Sequence, residues 1–236
     1  MTVRTPEQTR TEAGEALSSL AARPVVVTVD LHRGHLDPEV ATLPLPAERC
    51  EPYVQHCVEL LHGFRELGLP VIHVITSYRS RAEIVNNPYW RFVARHPENA
   101  RARIVDHNLE KGPGLSLMPG IAAPGDEIVS TKKRYDCLVG TDLEFMLRAH
   151  DYNSVLLMGV NTNSCLLATS IALSVRDWAT FMIEDGVDSM MGPEYHEAAL
   201  KVFDGSFGWV VGGAAAISVL KDSAHAGSST QAAPAT

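Results

Sequence analysis

The chain has 236 residues, of which 45% are hydrophobic, and it carries a formal net charge of -8. This length and apolar content favour one domain of about 200 residues with short terminal extensions. The acidic balance and the scattered basic residues argue against nucleic acid or an anionic membrane surface as a partner. No apolar run approaches the ~20 residues that a membrane span requires.

Both ends of the chain are polar and differ from the middle. The first twenty residues contain no apolar stretch of the kind that directs secretion, so we expect a cytoplasmic protein. The four cysteines show no C-x-x-C pair and no zinc spacing, which in that compartment predicts reduced thiols. We expect a loosely packed N-terminal extension over residues 1–22, a folded domain over 23–221 and a disordered tail over 222–236.

Short apolar runs alternate with helical patterns along the middle of the chain. Five runs are typical of buried strands: 24–30, 70–76, 126–133, 154–160 and 179–185. A short sixth strand is predicted at "GWVVGG", later in the chain. Helical spacing marks residues 47–67 before Gly68, an apolar segment marks 163–178, and a proline starts 193–203. Residues 77–124 show weak periodicity and form a long excursion. This alternation predicts an α/β three-layer sandwich with about six mostly parallel strands and helices on both faces.

Three reactive side chains stand at predicted strand ends. Asp30 closes the first strand, Lys132 closes the third, and Cys165 follows the fourth. In an open parallel sheet the binding cleft lies at the carboxyl ends of the strands. The three side chains are therefore candidates for one active site, although Lys133 competes with Lys132 because successive strand residues face opposite sides.

Each of the three residues also has an ordinary structural explanation. Free cysteines are commonly buried in cores, an aspartate can cap a loop, and a lone lysine is usually a surface charge. Taken together they make chemical sense. Cys165 should lie in the first turn of a helix, where the dipole favours a thiolate. Asp30 could take the thiol proton while a buried ammonium stabilises both anions, which allows attack on a carbonyl carbon and a thioester intermediate.

Three motifs carry a resemblance to a known family: "VVVTVDLHRGHLD", "KKRYDCLVGTDLEFML" and "GVNTNSCLLATS". In this order they resemble the isochorismatase-like cysteine hydrolases, which include nicotinamidases, N-carbamoylsarcosine amidase, biuret hydrolase and ureidoacrylate amidohydrolase. The resemblance covers about residues 24–212. Its Lys-x-Arg-Tyr pattern selects Lys132 as the catalytic lysine. It also implies a cis peptide between Val160 and Asn161, an oxyanion hole made by the N–H groups of Asn161 and Cys165, and a homodimer or homotetramer.

Some positions depart from the family pattern and put the substrate in question. The family commonly has Asp-Met-Gln at the first strand end, whereas Leu31 and His32 follow Asp30 here. We expect His32 to orient a polar group of the substrate. Further candidate substrate contacts, which could equally be packing residues, are Trp90, Arg91 and Tyr135.

The segment "DLHRGHLD" places His32, His35 and Asp37 close to Asp30, and such a cluster could bind zinc or iron. Nicotinamidases hold a metal through an Asp-x-His pattern after the first helix, and that pattern is not found here. The sequence therefore predicts no metal and no cofactor. His73, inside a strand, is interpreted as a core histidine.

The favoured function is a cysteine-dependent amidohydrolase that cleaves a C–N bond of a small amide, ureide or carbamoyl compound and releases ammonia or an amine. Its partner is a small-molecule substrate. "FDGSFGWV" (203–210) resembles the ureidoacrylate branch. Two alternatives stay open: an isochorismatase-type vinyl ether hydrolase, and a non-catalytic binding protein on the same fold. Cys165 favours the amidohydrolase over the vinyl ether hydrolase, because isochorismatases proper typically lack this cysteine.

Overall fold

A six-stranded sheet organises the molecule. The computed structural model describes the backbone of residues 6–230 and the side chains of residues 7–225. The strands are β1 (Pro24–Val29), β2 (Val71–Thr76), β3 (Glu127–Lys132), β4 (Ser154–Val160), β5 (Ala179–Asp188) and β6 (Trp209–Val211). They lie in the order β3-β2-β1-β4-β5-β6, and every neighbouring pair is parallel. The predicted α/β class and six parallel strands are confirmed.

Helices cover both faces of this sheet. They are α1 (Pro6–Leu20), α2 (Arg33–Leu36), α3 (Ala47–Glu66), α4 (Arg81–Val85), α5 (Pro88–Val93), α6 (Leu143–Ala149), α7 (Leu167–Ser174), α8 (Pro193–Ser206) and α9 (Gly213–Thr230). Alternate residues of the central strands point to opposite faces, so Val26 joins a core with α1, α3 and α9 while Val27 joins a core with α6, α7 and α8. The three-layer architecture follows from burying both faces of a valine-rich parallel sheet.

Helices occupy the described parts of both terminal segments. Residues 1–22 include α1, whose Ala13 and Leu17 are fully buried in the same core as Ala216 and Leu220 of α9. Helix α9 continues to Thr230 and so enters the range 222–236 that was expected to be disordered. Residues 231–236 lie outside the described part of the chain. A weakly apolar stripe on each helix suffices because the two helices pack against each other.

Residues 77–124 cross the carboxyl ends of the strands. Besides α4 and α5 they contain two 3₁₀ turns, at Ala102–Asp106 and Pro113–Leu115. Tyr78, Ile84 and Trp90 form a small separate core with Val93 and Ile104. The excursion is therefore a packed cover over one edge of the sheet, as expected for a segment without a domain of its own. Among the described helices, none is long and apolar enough to cross a lipid bilayer.

Candidate active site

Four neighbouring strands deliver one side chain each to the same edge of the sheet. Asp30 directly follows β1, Thr76 ends β2, Lys132 ends β3, and Cys165 lies in the turn after β4. Because β3, β2, β1 and β4 are adjacent in that order, parallel pairing brings their carboxyl ends together. The order of the strands reverses between β1 and β4, which opens a crevice at this point of the edge.

Lys132 lies at the centre of this group. Its Nζ donates to Asp30 Oδ2 at 2.6 Å and lies 3.3 Å from Cys165 Sγ. It also donates to the hydroxyl of Thr76. All three reactive groups are buried, with 0% of Asp30, 1% of Lys132 and 3% of Cys165 exposed. The sequence-predicted acid, amine and thiol are thus brought into direct contact, and the adjacent Lys133 instead donates to the Ser77 carbonyl at 2.6 Å.

The charges of the pair support each other. Burial alone would raise the pKa of Asp30, but the Lys132 ammonium, His35 and His32 outweigh it and hold that pKa well below its usual value. Burial alone would lower the pKa of Lys132, yet the Asp30 carboxylate and the Cys165 sulfur raise it well above its usual value. Both groups are therefore charged at neutral pH.

The thiol has the opposite protonation state. Burial raises the pKa of Cys165 to about 11, Lys132 opposes that rise, and the charge and hydrogen bond of Asp30 add to it. Cys165 is consequently a protonated thiol at rest, next to an ionised carboxylate that can accept its proton. The resting site therefore holds an ionised carboxylate, an ammonium and a protonated thiol side by side.

Local backbone geometry holds the acid in place. Asp30 has φ of 59°, an uncommon conformation for a residue other than glycine. Its Oδ1 accepts from the Thr76 backbone N–H and the Thr76 hydroxyl, both at 2.8 Å. Gly159 has φ of 117°, and a Cβ there would lie 2.0 Å from the Val29 carbonyl oxygen. Only glycine therefore permits β4 to lie this close to the end of β1.

The turn after β4 presents the thiol. The Val160–Asn161 peptide is cis, as the family resemblance implies. The Asn161 side chain accepts from the Met190 backbone N–H at 2.8 Å. A π-helical turn at Thr162–Leu166 then carries Cys165 before α7 begins, so the helix predicted over 163–178 is shorter than expected and starts with a wider turn. Such turns commonly occur at functional sites.

A narrow cleft, with a free volume of about 30 Å³, lies beside Cys165. Tyr78, Trp90 and Tyr135 supply an aromatic wall, in which the Trp90 Nε1–H donates to the Tyr135 hydroxyl at 3.2 Å. The cleft is also lined by Arg101 and by Arg134, whose guanidinium stacks 5.3 Å from the Trp90 ring. The predicted substrate contacts Trp90 and Tyr135 are therefore placed at the cleft. Arg91 is exposed on α5 and does not line it, because Trp90 takes the inward face of this short helix.

His32 lies behind Asp30 rather than in the cleft. It is fully buried, its Nε2 lies 3.4 Å from Asp30 Oδ1, and its Nδ1 lies 2.6 Å from the Gly114 carbonyl oxygen. The proposed contact with substrate is not supported by this position. Asp37 does not join the cluster of Asp30, His32 and His35 and instead pairs with Arg33 at 2.6 Å. His73 is a core histidine as predicted, held between Thr28 at 2.6 Å and Asp126 at 3.0 Å.

His107 and Arg101 are cleft residues of the excursion that the sequence analysis missed. His107 follows the first 3₁₀ turn, and its Nε2 lies 3.2 Å from His35 Nε2. Burial lowers the pKa of His107 to about 3, so the ring is neutral. Arg101 comes from the same segment, which shows no periodicity that could have placed either residue. Thr76 could have been found, because it ends a predicted strand and so passes the same test as Asp30.

Comparison with known proteins agrees with this architecture. Residues 24–215 match the family described as the Isochorismatase domain. The chain is 24% identical to maleamate amidohydrolase of Pseudomonas putida, over 80% of this chain and 83% of that protein. It is also 24% identical to ureidoacrylate amidohydrolase of Azorhizobium caulinodans, over 83% and 89%. A cysteine hydrolase from Pseudomonas syringae pv. phaseolicola superposes with a TM-score of 0.70 at 21% identity, covering 85% of this chain and 93% of that one.

Proposed function

Since this chain belongs to the isochorismatase family, we propose that it is a cysteine-dependent amidohydrolase acting on a small non-peptide amide, ureide or carbamoyl compound. The observation that carries the proposal is the position of one ammonium, Lys132 Nζ, 2.6 Å from a carboxylate oxygen and 3.3 Å from a sulfur. Relatives named maleamate amidohydrolase and ureidoacrylate amidohydrolase support hydrolysis of a C–N bond.

Acylation begins with the protonated thiol. As Cys165 Sγ bonds to the substrate carbonyl carbon, its proton passes to Asp30, and the carbonyl oxygen becomes an oxyanion. The backbone N–H groups of Asn161 and Cys165 would receive that oxyanion. The C–N bond then breaks, Asp30 returns the proton to the leaving nitrogen, and ammonia or an amine departs from a thioester.

Deacylation reverses the proton path. Asp30 takes a proton from water as the water oxygen bonds to the thioester carbon. The C–S bond breaks, and the proton on Asp30 returns to the sulfur, so the carboxylic acid leaves and the resting thiol is restored. Lys132 stays charged throughout, and its ammonium offsets the negative charge as that charge moves between Asp30 and Cys165.

The cleft favours a small and partly planar substrate. Aromatic rings of Trp90 and Tyr135 form one side, and the guanidinium groups of Arg101 and Arg134 bring positive charge to the lining. Planar amides and ureides stack on such rings and accept hydrogen bonds from arginine.

The test is ammonia release from a panel of maleamate-like, ureidoacrylate-like, carbamoyl and nicotinamide-like amides. We expect turnover of at least one class, a covalent acyl adduct on Cys165 by mass spectrometry, and no turnover by Cys165→Ala. Cys50→Ala is the matched control, because Cys50 is also buried but its thiol donates to the Leu36 carbonyl. It should retain activity.

Two results would reject the proposal. Hydrolysis of a vinyl ether that survives in Cys165→Ala would favour an isochorismatase-type reaction without a thiol. Failure of every amide to release ammonia or acylate Cys165 would favour a binding protein on this fold.

A further inference from the structure

A cluster of three histidines, His32, His35 and His107, lies against Asp30 and has no part in the acyl transfer described above. His32 and His35 come from the turn and helix α2 after β1, and His107 comes from the excursion. The chain of contacts is continuous. His32 Nε2 lies 3.1 Å from His35 Nδ1, and His35 Nε2 lies 3.2 Å from His107 Nε2. His32 and His35 are buried, with 0% and 6% of their surfaces exposed.

The protons of this cluster can be assigned from its outer partners. A carbonyl oxygen only accepts hydrogen bonds, so His32 Nδ1, at 2.6 Å from the Gly114 oxygen, must carry a proton. A neutral His32 therefore presents the bare Nε2. The Asn108 amide nitrogen lies 3.2 Å from His35 Nδ1 and 3.0 Å from His107 Nε2, and as a donor it leaves both of those nitrogens bare.

Atoms that can bind a cation converge here from three side chains. His32 Nε2 lies 3.4 Å from Asp30 Oδ1 and 3.1 Å from His35 Nδ1. Each of these side chains can offer a lone pair to a cation. The buried, water-poor setting would strengthen the attraction between that cation and the Asp30 carboxylate.

The outer contacts would also orient the rings for such a cation. His32 is held from behind by the Gly114 carbonyl, and His35 Nε2–H can donate to His107 Nε2. His107 is in turn held through Nδ1 by the Thr42 hydroxyl at 2.9 Å. Metal-binding histidines are commonly fixed in this way, with the outer nitrogen donating to oxygen or another acceptor.

We propose that Asp30, His32 and His35 form a binding site for a divalent transition-metal ion such as Zn²⁺. One ligand atom from each residue can be chosen so that the three lie within 4.8 Å of one another. Two imidazoles and one carboxylate favour zinc or cobalt over magnesium or calcium, which prefer oxygen ligands alone. His35 also lines the cleft, so a further coordination position would face the substrate.

A bound ion would change the proposed chemistry. It would compete with Lys132 for the Asp30 carboxylate and occupy the lone pair that accepts the thiol proton. We therefore expect zinc to inhibit amide hydrolysis reversibly. This consequence depends on the proposed function, whereas the binding itself does not.

The binding test uses metal-free Cys165→Ala protein, because the variant removes the thiol as a competing zinc ligand. Calorimetric titration with Zn²⁺ at neutral pH should show one equivalent bound with an enthalpy change. His35→Gln should weaken binding at least ~10-fold, by analogy with the loss of groups that support a metal site. His62→Gln is the control, since His62 is exposed on α3 and pairs with Glu66. Binding that persists in His35→Gln, or no binding at all, overturns the proposal.

A second measurement covers a His35 variant that fails to fold. Wild-type crystals soaked in Zn²⁺ should show an anomalous peak bonded to Asp30, His32 and His35. A peak confined to surface histidines, or no peak, would overturn the proposal. The histidines would then be joined by hydrogen bonds alone, with the Asn108 side-chain amide flipped so that its oxygen accepts from His35. Zinc that binds at this site but leaves hydrolysis unchanged would support the metal site and count against Asp30 as the base.

Discussion

Removing the charge of Asp30 should have opposite effects on the reactivity and on the turnover of Cys165. In the wild-type protein burial raises the pKa of the thiol to about 11, and the charge and hydrogen bond of Asp30 add to that rise. Asp30→Asn keeps the size of the side chain and removes the charge. Burial and Lys132 then remain as the opposing influences on the sulfur.

The size of the effect follows from the distances. An ammonium 3.3 Å from a thiolate attracts it by about 5 kcal/mol at an effective dielectric constant of ~20. This attraction roughly offsets the desolvation of the thiolate, so we expect the thiol pKa to fall by ~2 units, or ~100-fold in thiolate at pH ~8. The less basic thiolate is also a weaker nucleophile by ~10-fold, because nucleophilicity follows basicity with a coefficient of ~0.5.

The assay is the rate of alkylation by iodoacetamide at pH ~8, followed by peptide mapping. The net expectation is ~10-fold faster modification of Cys165 in Asp30→Asn, together with a loss of turnover of ~10²–10⁴-fold because the proton acceptor is gone. Cys57 serves as an internal reference, since burial raises its pKa to about 12 and it lies on α3. Slower alkylation of Cys165, or retained turnover, would refute the assignment of Asp30 as both the base and the group that keeps the thiol protonated.

Lys132→Met should lower the free energy of unfolding, measured in urea, by about 3–5 kcal/mol, because it leaves Asp30 buried without its ammonium partner. The control Lys133→Met, at a half-buried position, should lower it by about 1 kcal/mol. Equal losses in the two variants would contradict the assigned partners. In the wild-type protein the lowered pKa of Asp30 stabilises the fold above the usual aspartate pKa, and this contribution is lost as the pH falls through the folded value. The raised pKa of Lys132 stabilises the fold below the usual lysine pKa, and that stabilisation is lost as the pH rises through the folded value. Urea midpoints should therefore be highest from about pH 5 to pH 10. A steady rise in stability as the pH falls below that window would show that the predicted sign is wrong. Gly159→Ala should lower the free energy of unfolding by more than about 3 kcal/mol or prevent folding, because its Cβ would clash with the backbone of β1. The control Gly125→Ala, also at positive φ but with open space around it, should lower it by about 1 kcal/mol. Similar urea midpoints for the two variants would contradict the close approach of β4 to β1.

Much of the candidate site could be predicted from the chain because a parallel sheet brings its strand ends to one edge. Asp30, Lys132 and Cys165 each end or follow a predicted strand, so parallel pairing alone brings them to one edge of the sheet. The adjacency of β3, β2, β1 and β4 that puts them in contact was seen only in the structure. Thr76 obeys the same rule, and its interaction with Asp30 was within reach of sequence reasoning. The family resemblance selected Lys132 over Lys133, and the observed contacts agree with that choice.

Residues of the excursion could not be placed in the same way. His107 and Arg101 lie on irregular backbone, where neither a period of 2 nor a period of 3.6 relates sequence position to direction. The same limit applied to the short helix α5, where Trp90 faces inward and Arg91 faces solvent. Helix α1 was underestimated because its narrow apolar stripe is stabilised by α9, which is distant in the sequence.

The sequence by itself determined the sheet, its two covered faces and the candidate acid and thiol, because these depend on local periodicity and on the geometry of parallel strands. The choice of Lys132 over Lys133 came from the family resemblance. Only the tertiary structure decided which groups face each other around Asp30: Lys132, Thr76 and His35 line the cleft, and His32 lies behind it. Side-chain charges interact strongly only at a few ångströms and away from water. Separations of that kind are set by packing between distant segments, which no local pattern in the chain encodes.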